Sequence, residues 1–283
     1  MSSLVTVPLF ESCMYMLAIF GVYMLFSILK FADISTDNVF AFGSISGAFV
    51  FLSTNSLFIT VISVFLLGFL IGSFTSFLYS VVKIPKLLAG IITYSILFSI
   101  NIKFFRKPNI SFDSNLINSE IVPYLIIGLD ILFFLFIVFL FKTKLGKSLT
   151  TAGTNPNLLL EFGAPYKLIL IIGVGFCNSL ISTSGFLTSI YFGFSDINIG
   201  VGILVNSVAA IIISERLMSY FNKRYRFLVV FGGIVLYNFL LYFIISYLSF
   251  GFLDFSDYKL ISGLIIILFF VFNRKQLNDV ISL

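Results

Sequence analysis

KTKLGKSLTTAGTNPNLLLEFGAPYK, residues 142–167, is the longest polar break in the middle of a chain otherwise built from long apolar runs. It is basic, and it carries the start and stop signals of a short helix. Asn155 is a capping residue, and Pro156 suits the first helical position, where its missing N–H has no intrahelical partner to lose. Leu158–Phe162 form the body, and Gly163 can adopt the left-handed conformation that ends a helix. Three consecutive leucines, Leu158, Leu159 and Leu160, on so short a polar loop predict a partner surface. A compact helix hung beneath a membrane domain is what a motor protein needs in order to push on that domain.

The apolar runs on either side fix the class. Hydrophobic residues make up 59% of the chain, 38 residues are Phe and only 10% are charged. Such runs, many of them 18 residues or longer, read as membrane spans. The net charge of +5 says little about nucleic acid, because the charges sit in short loops rather than along a stripe; the expected surroundings are membrane lipid, with no nucleic-acid partner. Cys13 and Cys177 both fall in apolar runs, so neither a disulfide framework nor a metal site is indicated, and no cofactor is expected. The chain has no His, which removes Ser-His-Asp hydrolysis, HExxH zinc sites and His proton relays. Gly146-Lys147-Ser148 looks like the end of a phosphate loop, but GxxxxGK[ST] needs Gly where Phe141 stands. Nucleotide must then be handled by another chain. MSSLVTVPLFES lacks a basic n-region and a small-residue cleavage site, so the first apolar run reads as a retained helix.

The hydrophobic segments are 9–29, 38–52, 57–80, 87–104, 122–141, 167–190, 199–214, 227–248 and 259–272. They predict an all-α polytopic domain of about nine spans, with halves 9–141 and 167–272 joined by the loop 142–166. The second and seventh segments are short for a bilayer that takes ~20 helical residues to cross, as broken helices in transporters are. With 142–167 on the cytosolic side, thirteen of the 17 Lys and Arg fall inside, Lys30, Lys83 and Arg216 among them. Lys103, Arg106, Lys107 and Lys259 fall outside. The positive-inside rule thus places the N-terminus outside and the C-terminus in the cytoplasm. Phe31-Ala32-Asp33-Ile34 precedes the short second segment and Phe194-Ser195-Asp196-Ile197 the short seventh one. Two such copies of opposite orientation predict an inverted internal repeat.

Polar residues within or beside the spans are the candidate site. Asp33, Asp37 and Asp196 lie at the mouths of the short segments, where a carboxylate satisfies free N–H groups at a helix start; capping is the reading favoured over ligand contact. Asp130 lies within a span, where an ionised group costs at least ~2.5 kcal/mol. It should face protein or water, with a buried hydrogen-bond partner and a place on the translocation path both open. Asn178 and Ser182, four residues apart, share a face and could line a path, with Asn206 on the seventh segment. Gly43-x-x-x-Gly47 and Gly68-x-x-x-Gly72 read as close-packing sites.

Lys30–Gly47, KFADISTDNVFAFGSISG, resembles the first signature of permease subunits of bacterial ABC importers of the branched-chain amino acid and ribose class. Phe176–Glu215, FCNSLISTSGFLTSIYFGFSDINIGVGILVNSVAAIIISE, is similar to the tryptophan/tyrosine-type branch of that class. Gly153-Thr154-Asn155-Pro156 with Gly163 matches the Gly-x-Asn-Pro helix that docks on the ATPase subunit in the family. The resemblance implies a non-catalytic permease subunit in the bacterial cytoplasmic membrane, working as a homodimer. Its expected partners are ABC ATPase subunits and a periplasmic or lipid-anchored substrate-binding protein, and its expected cargo is an amino acid, aromatic ones included. It also implies that Gly153, Thr154, Asn155, Pro156, Leu159, Leu160, Glu161 and Gly163 form the ATPase contact. Two departures stand out: Leu158-Leu159-Leu160-Glu161 replaces an Ala-rich helix, and Asn206 sits where apolar or Gly residues are usual. The rival expectation is a self-contained secondary transporter driven by an ion gradient, for which Asp130 is the reasonable midplane acid.

Overall fold

With no water in a bilayer to bond the backbone, a helix is the way a single segment pairs its own N–H and C=O groups, and the apolar runs are helical. The structure, a computed structural model, describes residues 3–104, 109–111, 122–221 and 225–248, with Gly263, Leu264 and Ile267. In chain order these form α1 (Ser3–Tyr23), a π-helical turn (Met24–Ile28), α2 (Thr36–Thr54), α3 (Leu57–Ser80) and α4 (Lys86–Phe104). A short strand β1 (Asn109–Ser111), α5 (Val122–Lys142), α6 (Lys144–Thr154) and α7 (Pro156–Glu161) follow, then α8 (Tyr166–Phe192), β2 (Phe194–Asp196), α9 (Ile203–Met218) and α10 (Arg226–Leu248).

Six helices among the described residues are long and apolar enough to span a membrane: Val7–Ile28, Leu57–Ser80, Lys86–Lys103, Val122–Lys142, Tyr166–Phe192 and Arg226–Ile244. The two short segments are helices as well, of 19 and 16 residues, and stand outside that six. Most of the ninth segment, 259–272, lies outside the described residues, as do Arg106, Lys107, Lys223, Arg224, Lys259, Arg274 and Lys275. The protein is mostly helical rather than purely so. β1 pairs antiparallel with β2, Ile110 facing Ser195, a ladder the apolar pattern gives no sign of.

The chain divides into two compact units, Cys13–Leu204 and the combination of Met1–Ser12 with Val205–Leu283. In the larger unit α8 is the buried centre, with every residue from Gly173 to Ile190 out of solvent. α2 and α3 lie on it through their glycines. A Cβ on Gly43 would collide with the Ser182 carbonyl and one on Gly47 with the Phe186 ring. One on Gly68 would come within 2.6 Å of the Ser182 side chain, and one on Gly72 would collide with the Val174 carbonyl. Both Gly-x-x-x-Gly pairs are thus contact faces, where absent side chains let helix backbones approach. The opposite faces of α3 and α5 expose Phe58, Ile62, Leu66, Leu70, Leu132, Leu135 and Phe139, an apolar surface suited to lipid. In the smaller unit α9 and α10 pack closely: a Cβ on Gly233 would collide with Ser214, whose hydroxyl donates to the Val230 carbonyl at 3.3 Å.

Candidate coupling and translocation site

The polar break folds as an elbow of two helices, α6 and α7. α7 has the predicted signals: Asn155 Oδ1 accepts from the Leu158 N–H at 3.3 Å, and Pro156 opens the first turn. Gly163 closes it at φ +67°, with Gly163 N–H donating to Leu160 O (3.0 Å) and Ala164 N–H to Leu159 O (2.8 Å). That pair of bonds is a Schellman motif. The leucines divide. Leu159 is buried at 6% exposure, whereas Leu160 is 61% exposed and Phe162 79%, beside exposed Leu158 and Glu161. The outer surface of α7 is therefore Leu158, Leu160 and Phe162, with Leu159 pinning the helix from beneath.

α6 has no counterpart in the sequence reading. Thr143 Oγ1 accepts from Gly146 N–H at 3.5 Å at its start, and Gly146, Leu149 and Ala152 turn inward. Gly146-Lys147-Ser148 is thus the first part of a helix, not a phosphate-cradling loop. Gly153 lies so close to the end of the π-helical turn that a Cβ there would collide with the Ile28 carbonyl. Thr154, exposed, returns its hydroxyl to Thr150 O at 3.0 Å.

The chain between the π-helical turn and α2 reads as a loop, yet Asp33, Ser35 and Thr36 are fully buried. Asp33 accepts three hydrogen bonds: Oδ1 from Ser35 N–H (2.9 Å) and Ser35 Oγ (2.6 Å), and Oδ2 from Asn178 Nδ2 (3.0 Å). Asn178 stands midway along α8, so this break in the chain lies beside the middle of the longest helix, not at its end. Asp37, in the first turn of α2, accepts from Gly202 N–H (3.1 Å) and Leu204 N–H (2.8 Å), capping the start of α9 from another helix. A Cβ on Gly200 would collide with the Asp37 carbonyl. The starts of α2 and α9 thus meet. Ser44, on α2, and Ser195, within the Phe194–Ile197 echo, share a hydrogen bond of 2.6 Å. Asp196 Oδ1 accepts from Asn198 N–H at 2.7 Å, the same i to i+2 turn that Asp33 makes with Ser35.

The remaining candidates go elsewhere. Ser182 donates to the Val64 carbonyl at 3.2 Å, in the contact with α3. Asn206, half-buried on α9, accepts from the Tyr237 hydroxyl at 3.0 Å in the smaller unit. Asp130 is buried at 2% exposure, and neither carboxylate oxygen has a hydrogen-bond partner among the described residues. Among the described residues no group of three or more His, Cys, Asp or Glu could hold a metal.

The family profile described as branched-chain amino acid transport system / permease component matches residues 8–271. The chain belongs to that family. A curated relative of the permease is a tyrosine transport system permease protein of Clostridioides difficile (strain R20291), 33% identical over 273 residues, covering 95% of this chain and 90% of the relative. An uncharacterized protein of Rickettsia prowazekii (strain Madrid E) is 30% identical over 240 residues, covering 80% of this chain and 84% of its own. No solved structure matches the permease significantly. The permease is accordingly a multi-pass membrane component of an amino acid transport system of the ABC type.

Proposed function

We propose that this permease is the translocating subunit of an ATP-driven importer and that α7 is where a separate ATPase subunit pushes. The observation that carries the reading is the surface of α7: Leu160 and Phe162 lie open on a capped, Gly-terminated helix that follows the basic end of α5. Apolar side chains held out by a rigid helix are suited to a protein groove. Two permease copies form the path, an external binding protein delivers the solute, and the 142–167 elbow faces the cytoplasm with the N-terminus outside. The tyrosine permease among its relatives makes an aromatic amino acid the first cargo to try. The meeting of α2 and α9 beside mid-α8 fits two broken helices of an inverted repeat.

The test is co-purification and uptake. In proteoliposomes containing the permease with its co-purifying ATPase, ATP-driven uptake of labelled tyrosine is compared between the parent and the Leu160→Asp, Phe162→Asp double variant. The double variant should lose ATPase subunits while its melting temperature holds, because both side chains are exposed. Full ATP-driven uptake by the variant would show that α7 is not the contact. Asp130 is the observation favouring ion coupling instead, and tyrosine uptake driven by an ion gradient with no ATPase present would establish that reading.

A further inference from the structure

Between the elbow and the meeting point of α2 and α9 runs one continuous piece of chain, Ile28–Asp37, and each of its ends is held by a contact of a different kind. At the elbow end, Gly153 presses its backbone onto the Ile28 carbonyl, and Leu29 packs against the face of α6 and α8 where Leu149 meets Gly173. At the other end Asp37 holds the first amides of α9. Just ahead of this piece the helix widens and underwinds into a π-helical turn, and it is then abandoned. Met24–Ile28 is π-helical, Phe31 N–H reaches back to Leu25 O at 2.9 Å, and Lys30 takes φ +52°, the left-handed region that non-glycine residues seldom adopt. The Lys30 carbonyl freed by this turn is taken by Lys86 Nζ at 2.8 Å. Asp33 then anchors the segment to mid-α8 through Asn178.

We infer that Leu29–Ser35 is the strut that carries displacement of the elbow to the starts of α2 and α9, with Leu29 and Ser35 as its positioning residues. The inference rests on the proposed ATPase contact at α7. A strained kink bonded on both sides has two alternatives, its present hydrogen bonds or a regular helix, and such an element moves between states rather than bending gradually. A push on α7 reaches it directly, because the residue before the α7 cap, Thr154, adjoins Gly153. Leu29 sets how tightly the strut follows α6, and the Ser35 hydroxyl sets how firmly Asp33 holds its far end.

Amide hydrogen exchange of the permease–ATPase complex, with and without ATP, reads the strut itself. In the parent complex ATP should change exchange at residues 29–35. Leu29→Ala and Ser35→Ala, two substitutions at opposite ends, should retain the ATPase subunits and their hydrolysis but lower tyrosine uptake by ~10-fold, in the range of ordinary coupling energies, with the ATP effect on exchange lost. Unchanged exchange at 29–35 in a complex that is transporting would overturn the strut, and so would parental uptake by both variants. A wild-type permease that retains no ATPase would instead overturn the importer reading, and the strut with it.

Discussion

Asp33 and Asp130 are both buried carboxylates in the same unit, and their surroundings give them opposite meanings. Asp33 is fully satisfied by Ser35 and Asn178, so it is a joint. Asp130 has both oxygens unpartnered among the described residues, and such a group costs about 1–3 kcal/mol relative to an apolar residue of similar shape. The prediction is that Asp130→Leu raises stability by about that amount and lowers uptake, since a costly group inside a membrane helix marks function more often than architecture. Melting curves in detergent and tyrosine uptake would check it; a variant that is stabilised and transports fully would leave Asp130 without a role. The sequence marked Asp33 as a capping candidate and Asn178 as a path candidate, each by itself, without any sign that they meet, because 145 positions separate them and only tertiary packing brings one to the other. The contact of Ser44 with Ser195 was invisible for the same reason: 151 positions separate them, and a lone serine in an apolar helix, as Ser44 is, usually bonds its own helix, as Ser46 does to Phe42 O.

At the scale of the element, long apolar runs were legible and polar ones only where they carried cap signals. The segments read at 57–80 and 87–104 correspond to α3 at Leu57–Ser80 and α4 at Lys86–Phe104, and α7 begins at the Pro156 that its sequence announces. α6 was not legible because KLGKSLTTAGT is rich in Gly and Thr, poor helix formers. It is held instead by packing, with Gly146 and Gly153 each against backbone of a neighbouring element. The buried break at 29–35 misleads in the opposite sense, since FADIST has the composition of a surface turn. The paired glycines offer a controlled test of helix contact. Gly68→Val places bulk against Ser182 and Asn178, whereas Gly128→Val on α5 meets nothing within 4 Å. Overpacking should cost the first variant at least about 1–3 kcal/mol, and the second should melt with the parent. Equal melting of the two would mean that α3 does not rest on α8 through Gly68.

For the whole molecule, helix lengths and the mid-depth breaks together fix which loops share a side. At 1.5 Å per residue α3 is ~36 Å long and α8 ~40 Å, each enough for a ~30 Å core, whereas α9 is ~24 Å, too short to cross but ample from mid-depth to one face. α2 leaves the middle of α8 at Asp33 and follows its C-terminal half, where Phe51 meets Phe186 with ring centroids 6.4 Å apart. Asn55, at the end of α2, should therefore open on the same side as Phe192 at the end of α8. Phe162 belongs to the other side, and Lys83 joins it, because α4 and α5 make two crossings between them. The proposed inverted repeat adds a second constraint: the Asp33 and Asp196 turns have the same form, and inversion would send α2 and α9 towards opposite faces of the membrane. Tyr220, just past α9, should then lie with Lys83 and Phe162. Single cysteines at Asn55, Lys83, Phe162, Phe192 and Tyr220 in a Cys13→Ser, Cys177→Ala background, all at exposed or loop positions, test this with a membrane-impermeant maleimide on whole cells. Labelling at 55 and 192 before permeabilisation, and at 83, 162 and 220 only after it, is the expected pattern. Asn55 labelling together with Phe162 would remove the proposed orientation, and Tyr220 labelling together with Phe192 would remove the inverted repeat.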